Sequence, residues 1–228
     1  LKMTFLQVSE RCKQMAEINP MLGKRGVRLG ILLPELYKMQ VRAIIKASIS
    51  VYGKNQKEFP PEIMLPMVSS FKEVNLLKKL IDDVVAEITK EFNFPINYKL
   101  GVMVETPRAA LKAGELAIIS SFLSFGTNDL TQMTYGLSRD DSGTFMRDYL
   151  EKGIFPVDPF RSLDLDGVGE LLKIASKKSR AANPSIKIGI CGEHGGDPES
   201  IDFCKKIGLD FVSCSPFRVP IARIAAAQ

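Results

Sequence analysis

Two acidic residues, Glu105 and Asp129, each stand just past an apolar run, and a cysteine, Cys191, ends a third such run. In Phe122-Leu-Ser-Phe-Gly-Thr-Asn-Asp129 the apolar stretch breaks abruptly into Gly126, Thr127, Asn128 and Asp129. A buried strand delivers polar groups to a ligand in this way, with glycine permitting close backbone approach. Lys99-Leu-Gly-Val-Met-Val-Glu105 repeats the design and is followed by Thr106, Pro107 and Arg108. Carboxylates at two parallel strand ends can share one hard cation; magnesium, which takes one or two carboxylates and fills its other positions with water and substrate oxygens, suits such a pair. Two unrelated helix-capping acids would read the same. Asn128 is either a neutral donor beside them or a turn residue.

Cys191 lies in Ile186-Lys-Ile-Gly-Ile-Cys-Gly-Glu-His-Gly-Gly196, where surrounding glycines should leave its thiol little shielded. The plainer role is a packed small hydrophobe. Cys191 and His194 have the spacing of half a zinc site, but Cys204 and Cys214 supply no second tight pair. His194 is the single histidine, so a mechanism requiring another must borrow it from outside. Neither a phosphate-binding G-x-x-x-x-G-K-[ST] loop nor a G-x-G-x-x-G after a strand occurs, which argues against nucleotide binding within the chain. Arg25, in a glycine-rich turn, and Arg139, ten residues beyond Asp129, stand where a guanidinium can clamp a phosphate or carboxylate; Arg28 and Arg108 are weaker candidates. The methionines read as core filler.

Positioning these groups requires alternating strands and helices. Strands are expected over 62–68, 100–104, 122–126, 186–191 and 211–215. Helices are expected through about residue 18 and over 34–50, 74–92, 107–114, 167–182, 198–207 and 219–227, with Ser69 or Ser70 capping the third. Residues 116–119 are ambiguous, 23–28 read as a turn and 138–166 as irregular. Polar residues recur just past the strands' carboxyl ends, the active-face pattern of a (β/α)8 barrel. An open doubly wound sheet shares that pattern, and periodicity does not separate the two.

The 228 residues are 45% apolar, enough for one α/β domain spanning 1–228. A net charge of +5 and a pI near 9.0 arise from scattered lysines and arginines, with no basic run or aromatic interleaving. No nucleic-acid partner is expected, and no apolar span suits a membrane. Four cysteines without a signal peptide point to a reducing cytoplasm or organelle matrix. The chain opens on Leu1, inside an amphipathic pattern, as a piece of something longer would.

Residues 122–136, together with Gly101-Val-Met-Val-Glu-Thr-Pro-Arg-Ala-Ala110 and Gly189-Ile-Cys-Gly-Glu-His-Gly-Gly196, resemble three motifs of the phosphoenolpyruvate-utilising enzymes, in order and across essentially the whole chain. Asn19 to Gly30 and Val212 to Arg223 are similar to one branch of that family. The resemblance implies a (β/α)8 barrel that converts pyruvate to phosphoenolpyruvate, with the phosphoryl group brought by a phosphohistidine domain of the same parent chain. It implies Mg2+ on Glu105 and Asp129, substrate held by a loop of Gly126, Thr127, Asn128 and Asp129, and Cys191 as acid/base at the methyl carbon. Arg25 and Arg139 fall where the family has arginines near the substrate's anionic groups. The branch implies a homodimer joined through this domain. By the same comparison about the first two β/α units, with further phosphate-binding arginines, precede this sequence, so an incomplete barrel and phosphate clamp are expected.

Overall fold

The computed structural model describes residues 3–228. Helices α1 (Phe5–Met15), α2 (Val27–Leu32) and α3 (Pro34–Tyr52) precede β1 (Glu62–Leu65) and α4 (Phe71–Phe92). Next come β2 (Lys99–Val104), α5 (Pro107–Leu111), α6 (Ala113–Ile119), β3 (Phe122–Gly126) and α7 (Thr127–Tyr135). An excursion containing α8 (Met146–Glu151) leads to α9 (Val168–Ala182), β4 (Lys187–Cys191), α10 (Pro198–Lys206), β5 (Phe211–Val212) and α11 (Val219–Ala227).

All neighbouring strands pair in parallel, in the order β1-β2-β3-β4-β5. Strand order therefore follows chain order, without the reversal that marks a doubly wound sheet. Residues paired in register share a face of the sheet. One face carries Ile63, Leu65, Leu100, Val102, Val104, Leu123, Phe125, Ile188 and Ile190, all buried under the helices. The opposite face carries Met64, Gly101, Met103, Phe122, Ser124, Gly126, Gly189 and Cys191. A methyl group at Gly101 would overlap the Phe122 ring, and one at Gly189 the Phe211 ring, so these glycines are seats for aromatic side chains. The aliphatic face anchors the strands, while the glycine-rich face carries the groups capable of chemistry.

Local signals account for most boundaries. Ser70 caps α4 in a capping box with Glu73, whose carboxylate accepts the Ser69 and Ser70 N–H groups at 2.7 and 2.9 Å. Helix α4 then buries Val74, Leu77, Ile81, Val84, Val85 and Ile88 at helical spacing, worth about 2 kcal/mol per side chain before entropy. Thr106 caps α5, with Pro107 in its first turn, and Asp197 does the same for α10 beside Pro198. Several expected bounds shift. Helix α1 ends at Met15, short of Ile18; residues 27 and 28, expected within a turn over 23–28, already belong to α2; β1 ends at Leu65 rather than Val68; the helix expected over 107–114 divides into α5 and α6, and α6 takes in the ambiguous 116–119; and β5 ends at Val212 rather than Ser215, with the Ser213 N–H still donating to the Ile190 carbonyl at 2.8 Å.

Candidate functional site at the carboxyl ends of three strands

Register brings the chemistry together. Val104 pairs with Phe125 and Gly126 with Cys191, so Glu105, one residue past β2, lies beside Gly126. A Cβ at Gly126 would sit 2.8 Å from both Cβ and Oε2 of Glu105 and 2.9 Å from Met103 Sδ, so only glycine lets the Glu105 side chain cross β3. Glu105 is 5% exposed, and the Met67 N–H donates to its Oε1 at 2.6 Å. Met67 adopts a left-handed backbone (φ 57°), a conformation costly for this residue type that aims its N–H at the carboxylate.

Asp129 enters from the first turn of α7. Its Oδ2 accepts from Arg25 Nη2 at 2.6 Å and its Oδ1 from Gln132 Nε2 at 2.9 Å. The carboxyls of Glu105 and Asp129 lie close enough for Asp129 to act on the ionisation of Glu105. Burial pushes Glu105 up to about 7; the Met67 N–H and Arg25 oppose that rise, and the charge of Asp129 adds to it. A buried acid whose ionisation is opposed by burial and by a partly exposed carboxylate beside it makes, with that carboxylate, a donor set that a hard cation would satisfy. Among the described residues no three His, Cys, Asp or Glu side chains gather as a closed metal cage. A pair with room for water and substrate oxygens matches magnesium better than structural zinc.

Cys191 is half-buried, against the expectation of a lightly shielded thiol, because it packs onto β3: Sγ lies 3.4 Å from the Phe125 carbonyl and meets the Ser124 hydroxyl. Burial raises its pKa, the Ser124 bond pulls it down, and the charge of Glu105 raises it further, leaving a protonated thiol at neutral pH.

Residues 126–129 are not a loop. Gly126 ends β3 and itself precedes α7, whose first N–H groups have no side-chain cap. An open helix N-terminus between Glu105 and Cys191 is suited to a carboxylate or phosphate. The Thr127 side chain points inward, fully buried, with its hydroxyl on the Cys191 carbonyl (3.0 Å) and on His194 Nδ1 (2.7 Å). Both ring nitrogens of His194 are occupied, the second by the Pro159 carbonyl, so it is not a metal ligand paired with Cys191. Asn128 Oδ1 accepts from the Glu193 N–H at 3.3 Å. Gly192 (φ +98°) is pressed against Thr127 and Asn128, where a Cβ would come 3.0 Å from Asn128 Oδ1.

The motifs that meet here lie in a region, residues 4–228, that matches the family model for the PEP-utilising enzyme, PEP-binding domain. The chain belongs to this family. It is 54% identical over 222 residues to the chloroplastic pyruvate, phosphate dikinase of Mesembryanthemum crystallinum, covering 97% of this chain and 23% of that protein. It is 50% identical over 226 residues to the pyruvate, phosphate dikinase of Clostridium symbiosum (99% and 26%), and 49% identical over 228 residues to that of Rickettsia bellii (100% and 26%). The chain thus spans about a quarter of the length of these relatives. Among solved structures, a citrate lyase from Burkholderia xenovorans LB400 superposes with a TM-score of 0.50 at 15% identity, covering 72% of this chain and 48% of that one. That likeness is one of fold alone.

In this PEP-utilising domain the two arginines singled out from sequence part company. Arg25 reaches Asp129 across 104 residues of sequence, and its buried Nε has no partner among the described residues. Arg139 lies outside that cluster, half-exposed and 3.4 Å from Glu193, over a cavity of about 410 Å3 that Arg161 and Arg218 also line. Gln132 connects the two regions, donating to Asp129 and accepting the Arg139 N–H at 2.8 Å. Sequence reasoning missed Gln132, Met67 and Ser124. The first had a signal, standing three residues from Asp129 on one helix face; the other two had none.

Proposed function

We propose that this chain is the substrate-handling domain of a pyruvate, phosphate dikinase, and that its five strands are an arc of a (β/α)8 barrel whose inner face is the glycine-rich one. Chain-order strands and the likeness to the citrate lyase fold support the barrel. The observation that carries the function is the convergence of Glu105, Asp129 and Cys191 at three adjacent strand ends. The relatives' shared name favours a dikinase over phosphoenolpyruvate synthase or enzyme I of the sugar phosphotransferase system, which have similar metal and thiol chemistry.

Glu105 and Asp129 would hold Mg2+, with Asn128 beside them. Bound there, the ion would stabilise the negative charge that develops on the enolate oxygen of pyruvate. The free N–H groups at the start of α7 orient the substrate's carboxylate, and Arg25, through its unpartnered Nε, offers an anion a further donor. Arg139 contributes positive charge at the rim. Cys191 moves the proton at the methyl carbon. As a thiol it returns a proton to the enolate; to remove one it must first ionise, which becomes easier as the charge of Glu105 is offset. The phosphoryl group would come from a phosphohistidine domain of the same parent chain.

The test is Mg2+-dependent deuterium exchange into the methyl group of pyruvate by the full-length protein. Cys191→Ser should abolish exchange while sparing partial reactions confined to other domains; exchange at the wild-type rate in that variant would refute the assignment.

A second reading, compatible with the first, is that this domain pairs two copies of the chain, favoured by the exposed apolar side chains of Phe217, Ile221 and Ile224 at and before α11. Size-exclusion chromatography of the full-length protein with Phe217→Asp and Ile224→Asp reads that out. The absence of any helix long and apolar enough to cross a membrane, among the described residues, and the chloroplastic and bacterial relatives fit a cytoplasmic or organelle-matrix enzyme.

A further inference from the structure

His194 is wholly buried behind the site and has no part in the chemistry above. Its Nε2 lies 2.9 Å from the Pro159 carbonyl, which can only accept, so Nε2 carries a proton. Its Nδ1 lies 2.7 Å from Thr127 Oγ1, and that hydroxyl is also 3.0 Å from the Cys191 carbonyl. One hydroxyl proton therefore faces two acceptors whenever the ring is neutral. Burial keeps the ring below its ordinary pKa, and Arg139 acts in the same direction. The Pro159 bond and the charges of Asp197 and Glu193 pull the other way without overcoming burial. The neutral ring accepts a hydrogen bond from the Thr127 hydroxyl on Nδ1, shared with the Cys191 carbonyl.

Three segments meet at this ring. Thr127 begins α7, which carries Asp129 two residues later; His194 follows Cys191 by three residues; and Pro159 belongs to the excursion between α7 and α9. The excursion has a second tie to the same loop, since Ser162 Oγ donates to Asp197 at 2.9 Å. The segment bearing the thiol is thus tied to the segment bearing a carboxylate of the site by a buried imidazole, beside the direct bonds of the Thr127 hydroxyl to the Cys191 carbonyl and of the Glu193 N–H to Asn128, and the imidazole alone adds the excursion to that tie.

We propose that His194 is a positioning residue, its ring clamping Thr127 and Pro159 so that the head of α7 keeps a fixed spacing from the end of β4, and with it Asp129 from Cys191. This rests on the reading of the site as the place where the methyl proton of pyruvate is moved. A residue that sets spacing between reacting groups acts on the rate of the chemical step more than on substrate affinity, because small misplacements cost rate steeply.

The experiment uses the full-length protein and Mg2+-dependent deuterium exchange into pyruvate, with kcat and KM measured for His194→Ala, Thr127→Val, their double variant and Thr127→Ser. His194→Ala and Thr127→Val should each lower kcat by about tenfold or more while KM changes less than about threefold. The double variant should be no slower than the slower single variant, since both remove one clamp. Thr127→Ser, which keeps the hydroxyl, should recover most of the rate lost in Thr127→Val. If His194→Ala does not fold, the Thr127→Val and Thr127→Ser pair still decides. Thr127→Val exchanging at the wild-type rate, or losses that multiply in the double variant, would overturn this inference alone. No exchange by the wild-type protein would overturn the functional reading and this inference together.

Discussion

Replacing Glu105 by glutamine should stabilise this chain at alkaline pH in EDTA, although it removes a proposed metal ligand. Glu105 is 5% exposed, and burial, aided by the charge of Asp129, pushes its pKa up to about 7 from an ordinary 4.5. A group whose folded pKa is raised contributes stability below its unfolded pKa and loses that contribution as pH rises through the folded value. At ~1.4 kcal/mol per unit, ionised Glu105 costs the folded state on the order of 3 kcal/mol by pH 8. Glutamine keeps an oxygen for the Met67 N–H, bonded at 2.6 Å in the wild type, and offers Asp129 a donor in place of a charge. In urea unfolding at pH 8, the variant should exceed the wild type by about 2–3 kcal/mol, and the gap should shrink toward zero as pH approaches about 4. The chain has no tryptophan, so circular dichroism is the probe. Mg2+ should then stabilise the wild type and leave the variant nearly unchanged. A variant less stable than wild type at pH 8, or a gap independent of pH, would show that burial and Asp129 do not burden Glu105 as described.

Gly126→Ala should destabilise the chain by about 1–3 kcal/mol and weaken Mg2+ binding, because its methyl group would meet Glu105 Cβ and Oε2 at 2.8 Å; unfolding and calorimetric titration read both, and an unchanged Mg2+ affinity would count against the crossing of Glu105 over β3. Asp210→Asn should cost about 1–3 kcal/mol at pH 7, since that carboxylate accepts from the Ile188 N–H at 2.8 Å and from Arg180 at 3.0 Å and so pins β5 to β4. Burial alone would raise the pKa of Asp210, but those bonds hold it below the usual carboxylate value. Its contribution is therefore present above the unfolded pKa of about 3.9 and is lost as pH falls through the lower folded value; the difference between wild type and variant should narrow in acid denaturation, and a constant difference would contradict the assignment.

The strand ends were legible because an apolar run that breaks into glycine, carboxylate or cysteine has few other uses, and β2, β3 and β4 lie within a residue or two of where that pattern puts them. Residues 127–129 misled. Thr, Asn and Asp after a glycine read as a loop, yet the same residue types are at home in the first turn of a helix, and here α7 begins directly at Thr127. The Arg25–Asp129 pair joins residues 104 apart in sequence, a contact that no local pattern encodes. Nor does sequence mark the left-handed turn at Met67, against which Gly26 packs: a Cβ at Gly26 would lie 2.8 Å from Met67 Cβ. His194 was seen as the sole histidine, but its clamp between Thr127 and Pro159 depends on an excursion whose course has no periodic signal.

Locating Mn2+, a spectroscopically and crystallographically visible substitute for Mg2+, in crystals of the full-length protein tests the central claim most directly. The account predicts one anomalous peak bonded to carboxylate oxygens of both Glu105 and Asp129, at the carboxyl ends of β2 and β3 and on the same face as the Cys191 thiol. A peak bound elsewhere, with the Arg25–Asp129 ion pair intact and Glu105 bonded only to the Met67 N–H, would contradict it.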